Sequence, residues 1–188
     1  MFLHGVDDAK IWQGDTLSNP QNLENDQLMK FQVVVANPPF SLDKWDSGFL
    51  ANAGLDAKGK KQEKMTASMD AWKRFDWGVP PKSKGDYAFI LHMLHCLDGN
   101  NGRMAIIMPH GVLFRGASEG EIRKKLIDLN LLDAVIGLPA NLFYGTGIPA
   151  CIIIIDKSDA DERKGIFMID ASHDFVKDGN KNRLRERD

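Results

Sequence analysis

The 188-residue chain contains four short apolar segments, and each ends at proline, glycine or a charged residue. Their sequences are FQVVVANPP, GRMAIIMPHG, LLDAVIGLP and PACIIIIDK. Polar residues do not alternate with the apolar ones, and such runs are typical of strands that are buried on both faces of a sheet. The pattern therefore predicts four buried strands.

Two amphipathic helices are predicted between the first three strands. The first starts at Asp86, which we favour as its N-cap over a role in a cleft, and the second starts with Ser118 and Glu121 at capping-box spacing. Alternating strands and helices indicate an α/β fold with a mostly parallel sheet. The connection LPANLFYGTGIP is too short for a covering helix, so the last strand is predicted to be antiparallel.

Two regions lack this pattern. Residues 42–84 are polar and are expected to form a long loop excursion, which is more often functional or mobile than structural. Two interpretations, DNA phosphate contacts or a solvated loop, stay open for its basic residues Lys58, Lys60, Lys61 and Lys64. Residues 171–188 are charged and poor in apolar side chains, which predicts a tail.

The composition limits the possible chemistry. A formal net charge of −2 gives no overall attraction to nucleic acid or to an anionic membrane, so any DNA binding must be local or shared with partners. Cys96 and Cys151 have apolar neighbours and no metal-type spacing, which indicates reduced thiols and a cytoplasmic protein. No apolar run approaches the roughly 20 residues of a membrane-spanning helix. His92 and His95 lack a third ligand at a helpful spacing, so no metal site is predicted.

The sequence Asn37-Pro38-Pro39-Phe40 follows the first predicted strand at its carboxyl end, where open α/β sheets bind ligands. Two successive prolines make a stiff corner, which presents two acceptors, the Asn37 side-chain oxygen and the Pro38 carbonyl, beside the Phe40 ring. These groups suit a planar molecule with an NH2 group, such as adenine. The lone pair of that amino nitrogen is delocalised into the ring, and two acceptors that hold both N–H bonds would favour a pyramidal nitrogen whose lone pair is available for reaction. The four residues alone equally allow a proline-rich turn with Phe40 packed in the core.

The text around this tetrapeptide resembles one protein family. The matching stretches run in order along most of the chain: WQGDTL, NPPF, GVPPKSKGDYAFILHMLHCL, GRMAIIMPHGVLFRG, IRKKLI, AVIGLPANLFYGTGIPACIIIIDK and NKNRL. Together they are similar to the modification subunit of type I restriction-modification systems, an N6-adenine DNA methyltransferase family. The tetrapeptide by itself also marks methyltransferases of ribosomal RNA and of protein glutamine, which are an alternative.

The resemblance implies a Rossmann-like sheet and an enzyme that transfers a methyl group from S-adenosyl-L-methionine to a flipped-out adenine. The implied catalytic corner consists of Asn37, Pro38, Pro39 and Phe40. Asp15 is implied to face the adenine of the cofactor, and Phe143 is our candidate for a second ring against the target base, with Tyr144 as the adjacent alternative. The implied partners are DNA, the specificity and restriction subunits of the same system and a second modification subunit.

One part of the family pattern is missing, because no glycine-rich cofactor loop precedes Ile11. We therefore interpret residues 1–170 as the C-terminal half of the catalytic domain, truncated and inactive alone, and residues 171–188 as the start of a missing C-terminal region. Without its neighbouring strands, VVVANPP is predicted to be an exposed apolar edge through which the chain self-associates or relies on a partner. A non-catalytic remnant or interaction module is the alternative function.

Overall fold

The computed structural model describes residues 8–185, and a five-stranded sheet lies at its centre. The strands are β1 (Leu23–Glu24), β2 (Gln27–Leu28), β3 (Val33–Ala36), β4 (Arg103–Pro109), β5 (Leu132–Gly137), β6 (Ala150–Asp156), β7 (Phe167–Asp170), β8 (Phe175–Asp178) and β9 (Lys181–Leu184). The helices are α1 (Ser47–Asn52), α2 (Asp86–Cys96) and α3 (Ala117–Asp128), with short 3₁₀ turns at Ala67–Met69 and His110–Leu113. Within residues 8–185, none of the helices has the length and apolar character that crossing a membrane requires.

The strand order of the central sheet is β3-β4-β6-β5-β7. The pairs β3–β4 and β5–β7 are parallel, whereas β6 is antiparallel to both of its neighbours, β4 and β5. Four strands therefore point one way and β6 points the other way. The predicted α/β class, with a mostly parallel sheet and an antiparallel strand after LPANLFYGTGIP, is confirmed. β7 was not predicted, since it is short and fully exposed along its length.

The sheet buries its middle strands and leaves β3 at an edge. Ile106, Cys151 and Ile155, on β4 and β6, are fully buried. In contrast, Val33 and Val35 on β3 are 66% and 71% exposed. Alternate residues of a strand face opposite sides, and only one side of β3 packs on the core. The prediction of a buried strand is therefore wrong for β3, and the predicted exposed edge is confirmed, while self-association stays a prediction.

The helices begin differently from their predicted caps. α2 is buried on nearly all sides, its N-cap is Gly85, and Asp86 is its first helical residue. α3 has Gly116 as its N-cap, so Ser118 lies inside the helix and no side-chain cap bond forms. Both cap predictions are wrong. Asp86 was expected to precede α2 but is its first residue, and Ser118 was expected to precede α3 but is its second residue.

Residues 42–84 are mainly turns and irregular structure, and part of the segment packs into the core. They contain α1 and contribute buried aromatic side chains to the core, with Trp45 and Phe75 ring centroids 5.3 Å apart and Phe49 and Phe75 centroids 5.8 Å apart. Residues 171–188 also depart from a plain tail, because β8 and β9 form an antiparallel hairpin. Residues 186–188 of that predicted tail lie outside the described residues.

Candidate functional site

The Asn37–Phe40 corner follows β3 directly and lines a cleft of about 400 Å³. The opposite wall is the loop before β6, and we call this space the Phe143 cleft. Its lining residues are Asn37, Pro38, Pro39, Phe40, Phe143, Tyr144, Gly145, Thr146 and Ile148. The structure thus brings together the predicted corner and the predicted second ring, which lie more than a hundred residues apart in sequence.

Two aromatic rings meet in the Phe143 cleft. The Phe40 and Phe143 centroids are 5.7 Å apart with an interplanar angle of 80°, a T-shaped contact. Phe40 is half-buried and lines the cleft rather than belonging to the hydrophobic core. Tyr144 is 94% exposed, with the Lys181 ammonium 5.2 Å from its ring centroid. Of the two candidate rings, Phe143 is therefore the one that contacts Phe40.

Two hydrogen-bond acceptors stand beside these rings. Asn37 and Pro38 both line the cleft, and neither the Asn37 side-chain amide nor the Pro38 carbonyl makes a hydrogen bond within residues 8–185. Asn37 is exposed and Pro38 is half-buried. Both oxygen atoms are consequently available to a ligand with N–H donors.

The buried carboxylate of Asp86 binds Ser41, the residue that follows the corner. Ser41, just after the corner, has a φ of 49°, in the left-handed region that non-glycine residues rarely adopt. Its backbone N–H donates to Asp86 Oδ1 at 2.7 Å and its hydroxyl donates to Asp86 Oδ2 at 3.2 Å. Asp86 is fully buried and is also paired with Arg115. Asp86 is therefore an anchor of the corner, which its place in GDYAF, at the head of a buried helix, could have suggested.

The loop that carries Phe143 is held by the C-terminal hairpin. The Asn182 side chain donates to the Ala140 carbonyl at 2.7 Å, and the Asn182 backbone N–H donates to the Asn141 carbonyl at 3.0 Å. The Lys181 ammonium donates to the Phe143 carbonyl. The predicted tail thus includes residues that support the site, a role that its charge-rich composition did not reveal.

Asp15 lies in a second cleft, of about 480 Å³, which we call the Asp15 cleft. Its lining residues are Asp15, Thr16, Leu17, Pro39, Leu42, Asp43, Lys44, Trp45, Ser47 and Phe89. Pro39 lines both clefts, so they adjoin at the corner. The described residues before β1, Asp15 among them, form turns and irregular structure.

The Asp15 carboxylate organises the turn of residues 15–18, which we call the Asp15 turn. Oδ1 accepts from the backbone N–H groups of Leu17, at 2.9 Å, and Ser18, at 3.2 Å, while Oδ2 accepts from the Ser18 hydroxyl at 2.6 Å. Burial opposes ionisation of this carboxyl group, but these bonds and the charge of Arg74 outweigh burial and lower its pKa. The side chain is therefore a carboxylate at neutral pH, in which Oδ1 accepts two hydrogen bonds and Oδ2 accepts one within residues 8–185.

Arg74 connects the Asp15 turn to the core. It is fully buried and donates to the Leu17 carbonyl at 2.6 Å, to the Asp70 carboxylate at 2.7 Å and to His92 Nδ1 at 2.9 Å. Because a guanidinium group can only donate, Nδ1 must accept and the ring proton must be on Nε2. His92 is thus part of a structural network, as an ordinary helix residue, together with its neighbour Cys96, whose Sγ is 3.7 Å from Nε2.

This network predicts a loss of stability in acid. Burial, and then the charge of Arg74, lowers the pKa of His92 from 6.5 to about 4. The unfolded chain therefore binds a proton below pH 6.5 that the folded chain excludes until about pH 4, so stability falls across that window. The expected loss is roughly 3 kcal/mol, at about 1.4 kcal/mol for each unit of pKa. The free energy of unfolding, measured with urea at several pH values, should fall less between pH 6.5 and pH 4 for His92→Gln than for the exposed control His173→Gln. An equal fall in the two variants would contradict the prediction.

Comparison with known proteins identifies the class of protein that this fold and site define. The chain belongs to the N-6 DNA methylase family, with a match over residues 1–188. Among curated relatives, the type I restriction enzyme MpnII methylase subunit of Mycoplasma pneumoniae is 37% identical over 98% of this chain and 32% of its own length. The MjaVII methylase subunit of Methanocaldococcus jannaschii is 33% identical over 94% of this chain and 28% of its own length.

A solved structure gives the same result. The methyltransferase subunit of a type I restriction-modification system from Streptococcus thermophilus is 37% identical, with a TM-score of 0.75 over 100% of this chain and 36% of that one. The resemblance to modification subunits of type I systems is therefore confirmed. The chain spans about a third of the length of the relatives that it matches.

Proposed function

We propose that this chain carries the catalytic corner of a DNA methyltransferase that transfers a methyl group from S-adenosyl-L-methionine to N6 of a flipped-out adenine. The observation that carries this proposal is that two clefts adjoin at Pro39, one with the aromatic pair and the free acceptors, the other with the Asp15 carboxylate. A reaction between two bound molecules needs such a shared boundary, at which the reacting atoms are held close together.

In the Phe143 cleft, the target adenine would lie against the aromatic pair. Its amino group would donate one N–H to the Asn37 side chain and the other to the Pro38 carbonyl, which favours a pyramidal nitrogen with an available lone pair. Stacking on a ring is worth roughly 1–3 kcal/mol for each base. That energy offsets part of the few kcal/mol that are needed to flip the base out of the duplex.

In the Asp15 cleft, the residues fit the adenosine end of the cofactor. Oδ2 of Asp15 offers an acceptor for an amino or hydroxyl group, and Pro39 and Phe89 provide apolar surface. When bound, the cofactor supplies a methyl group on a positively charged sulfur. The sequence contains no glycine-rich loop of the kind that holds the methionine end in this family, so we propose that another segment provides that contact and that the chain is inactive alone.

The proposed partners are DNA, the specificity and restriction subunits of one type I system and a second modification subunit. The support is that the relatives are named methylase subunits of type I restriction enzymes. In such a system a separate chain selects the DNA sequence, which agrees with a net charge of only −2 and the absence of an overall basic character.

The proposal is tested by calorimetric titration of the chain with S-adenosyl-L-methionine. Saturable binding is expected, and Asp15→Asn should weaken it by about 10-fold to 100-fold, the value of a hydrogen bond to a charged group. Asp98→Asn is the matched control, because Asp98 also accepts backbone N–H groups in a turn, from Asn100 at 3.1 Å and Asn101 at 3.3 Å, but lines neither cleft.

Two results would count against the proposal. Equal affinities of the Asp15 and Asp98 variants would remove Asp15 from the cofactor site. Absence of binding both by the chain and by a chimaera in which residues 1–188 replace the matched segment of the Streptococcus thermophilus subunit would favour the alternative, a non-catalytic remnant.

A further inference from the structure

We propose that Gly48, on α1, is a positioning residue that sets the direction of the Asp15 carboxylate through Ser18. This inference rests on the proposed function, because that proposal assigns Asp15 to the cofactor, and Gly48 belongs to the segment 42–84 that packs beside Asp15. Gly48 lies outside both clefts as they are lined, and its influence is exerted through the turn that it contacts.

The evidence is the closeness of α1 to the Asp15 turn. A Cβ atom at Gly48 would lie 2.0 Å from Ser18 Oγ, 2.6 Å from Ser18 Cβ and 3.2 Å from Asp15 Oδ2. Gly48 does not have a left-handed backbone, so conformational freedom does not explain the glycine. The position needs a residue without a side chain because the turn occupies the space that a Cβ atom would take.

The contact reaches the Asp15 carboxylate by one hydrogen bond. The Ser18 hydroxyl donates to Oδ2 of Asp15 at 2.6 Å, and Oδ2 is the oxygen to which the proposed function assigns the contact with the cofactor. Rotation of the Ser18 side chain can move its hydroxyl but cannot move Ser18 Cβ. A methyl group at position 48 is therefore not accommodated by a rotamer change of Ser18, and it displaces the Asp15 turn and its carboxylate relative to α1.

The same segment also holds the turn at a second point. Arg74 donates to the Leu17 carbonyl at 2.6 Å, and its own position is fixed by Asp70 within the core. The Asp15 turn is thus fastened between Gly48, which limits its approach to α1, and Arg74, which binds its backbone. Because Arg74 holds the Leu17 carbonyl in place, a methyl group at position 48 that displaces Ser18 rotates the turn rather than translating it as a unit.

The test compares Gly48→Ala with Gly120→Ala. Both glycines are helical, but a Cβ atom at Gly120 would meet nothing closer than 3.8 Å, so the control adds the same methyl group without a collision. The first measurement, which needs no ligand, is an NMR titration of the Asp15 carboxyl group. In Gly48→Ala its pKa is expected to rise, since burial then acts without the full hydrogen bonding that offsets it.

The second measurement is the affinity for S-adenosyl-L-methionine. Gly48→Ala should lower it by about tenfold, as expected for a contact group misplaced by a fraction of an ångström, and Gly120→Ala should leave it unchanged. An unchanged Asp15 titration in Gly48→Ala overturns the inference. A shifted titration supports it even where neither protein binds the cofactor, and in that event only the proposed function fails.

A rescue experiment covers the case in which Gly48→Ala does not fold. Ser18→Gly removes the two atoms that lie nearer than 3.0 Å and leaves Asp15 Oδ2 at 3.2 Å. Ser18→Gly and the double variant Ser18→Gly/Gly48→Ala should therefore fold equally well, and their Asp15 titrations should be much closer to each other than those of the native protein and Gly48→Ala. Agreement between these two proteins supports the inference that Gly48 acts through Ser18. A double variant that still fails to fold, or whose Asp15 titration differs from that of Ser18→Gly by as much as Gly48→Ala differs from the native protein, overturns it.

Discussion

Replacing Arg74 with methionine is expected to lower the free energy of unfolding by about 3–5 kcal/mol, the range for breaking a buried ion pair. Arg74 and Asp70 are both fully inaccessible at their side chains, and their nearest charged atoms are 2.7 Å apart. Without the guanidinium group, the Asp70 carboxylate stays buried with no opposite charge. The Leu17 carbonyl and His92 Nδ1 also lose their donor.

Urea unfolding curves of the two proteins measure this loss. Lys124→Met is the matched control, because Lys124 and Asp128 are also four residues apart in sequence but are exposed, at 68% and 49% of their side chains. Exposed pairs of this kind contribute about 0.3–0.5 kcal/mol. The double variant Asp70→Leu/Arg74→Met should recover part of the stability by removing the stranded charge, and a similar small loss for Arg74→Met and Lys124→Met would refute the argument.

Replacing Asn37 with alanine is expected to slow methyl transfer by about 10²-fold to 10³-fold, the usual effect of removing one hydrogen-bonding group that acts in the transition state. The remaining acceptor, the Pro38 carbonyl, can hold only one of the two N–H bonds of the adenine. Asn37 is exposed and makes no side-chain hydrogen bond within residues 8–185, so the free energy of unfolding should change by less than about 0.5 kcal/mol.

The rate is measured as transfer of labelled methyl groups to unmethylated DNA by the chimaera with the Streptococcus thermophilus subunit. Asn100→Ala, in the exposed turn after α2, is the control and should retain the full rate. A normal rate for Asn37→Ala would remove the amide from the mechanism. A slow rate accompanied by unfolding would show that Asn37 is structural, contrary to its exposure.

The elements that could be predicted are those whose own sequence determines them. The uninterrupted apolar runs of β4 and β6 and the apolar stripe of α2 identify buried elements before any neighbour is known. β7 could not be recognised, because its residues are exposed and it pairs with β5, which lies about thirty residues earlier. The β8–β9 hairpin is a local pairing, but its residues are mostly exposed and charged, so no apolar pattern marks its two strands. The burial of β3 was misjudged because an apolar run does not show whether both faces of the strand are covered, and in β3 only alternate residues are partly buried.

The same distinction applies to the candidate site, where residues that are contiguous in sequence could be predicted and residues that folding brings together could not. The corner of residues 37–40 is contiguous, so its chemistry could be proposed from four letters, although its catalytic role stays a prediction. Asp86 and Gly48 act through residues that are distant in sequence, and of the two only Asp86, in GDYAF at the head of a buried helix, has a local sequence that points to it. Phe75 lies 26 residues after Phe49, so its packing against Trp45 and Phe49 depends on tertiary structure that the sequence pattern does not show.

The adjoining clefts have a consequence for the independence of the two sites. Pro39 is the lining residue that the two spaces have in common, and the remaining lining residues of each space differ. Under the proposed function, the target base and the cofactor therefore contact largely separate sets of side chains, so a substitution in one cleft away from Pro39 should change the affinity for one ligand and leave the other unchanged.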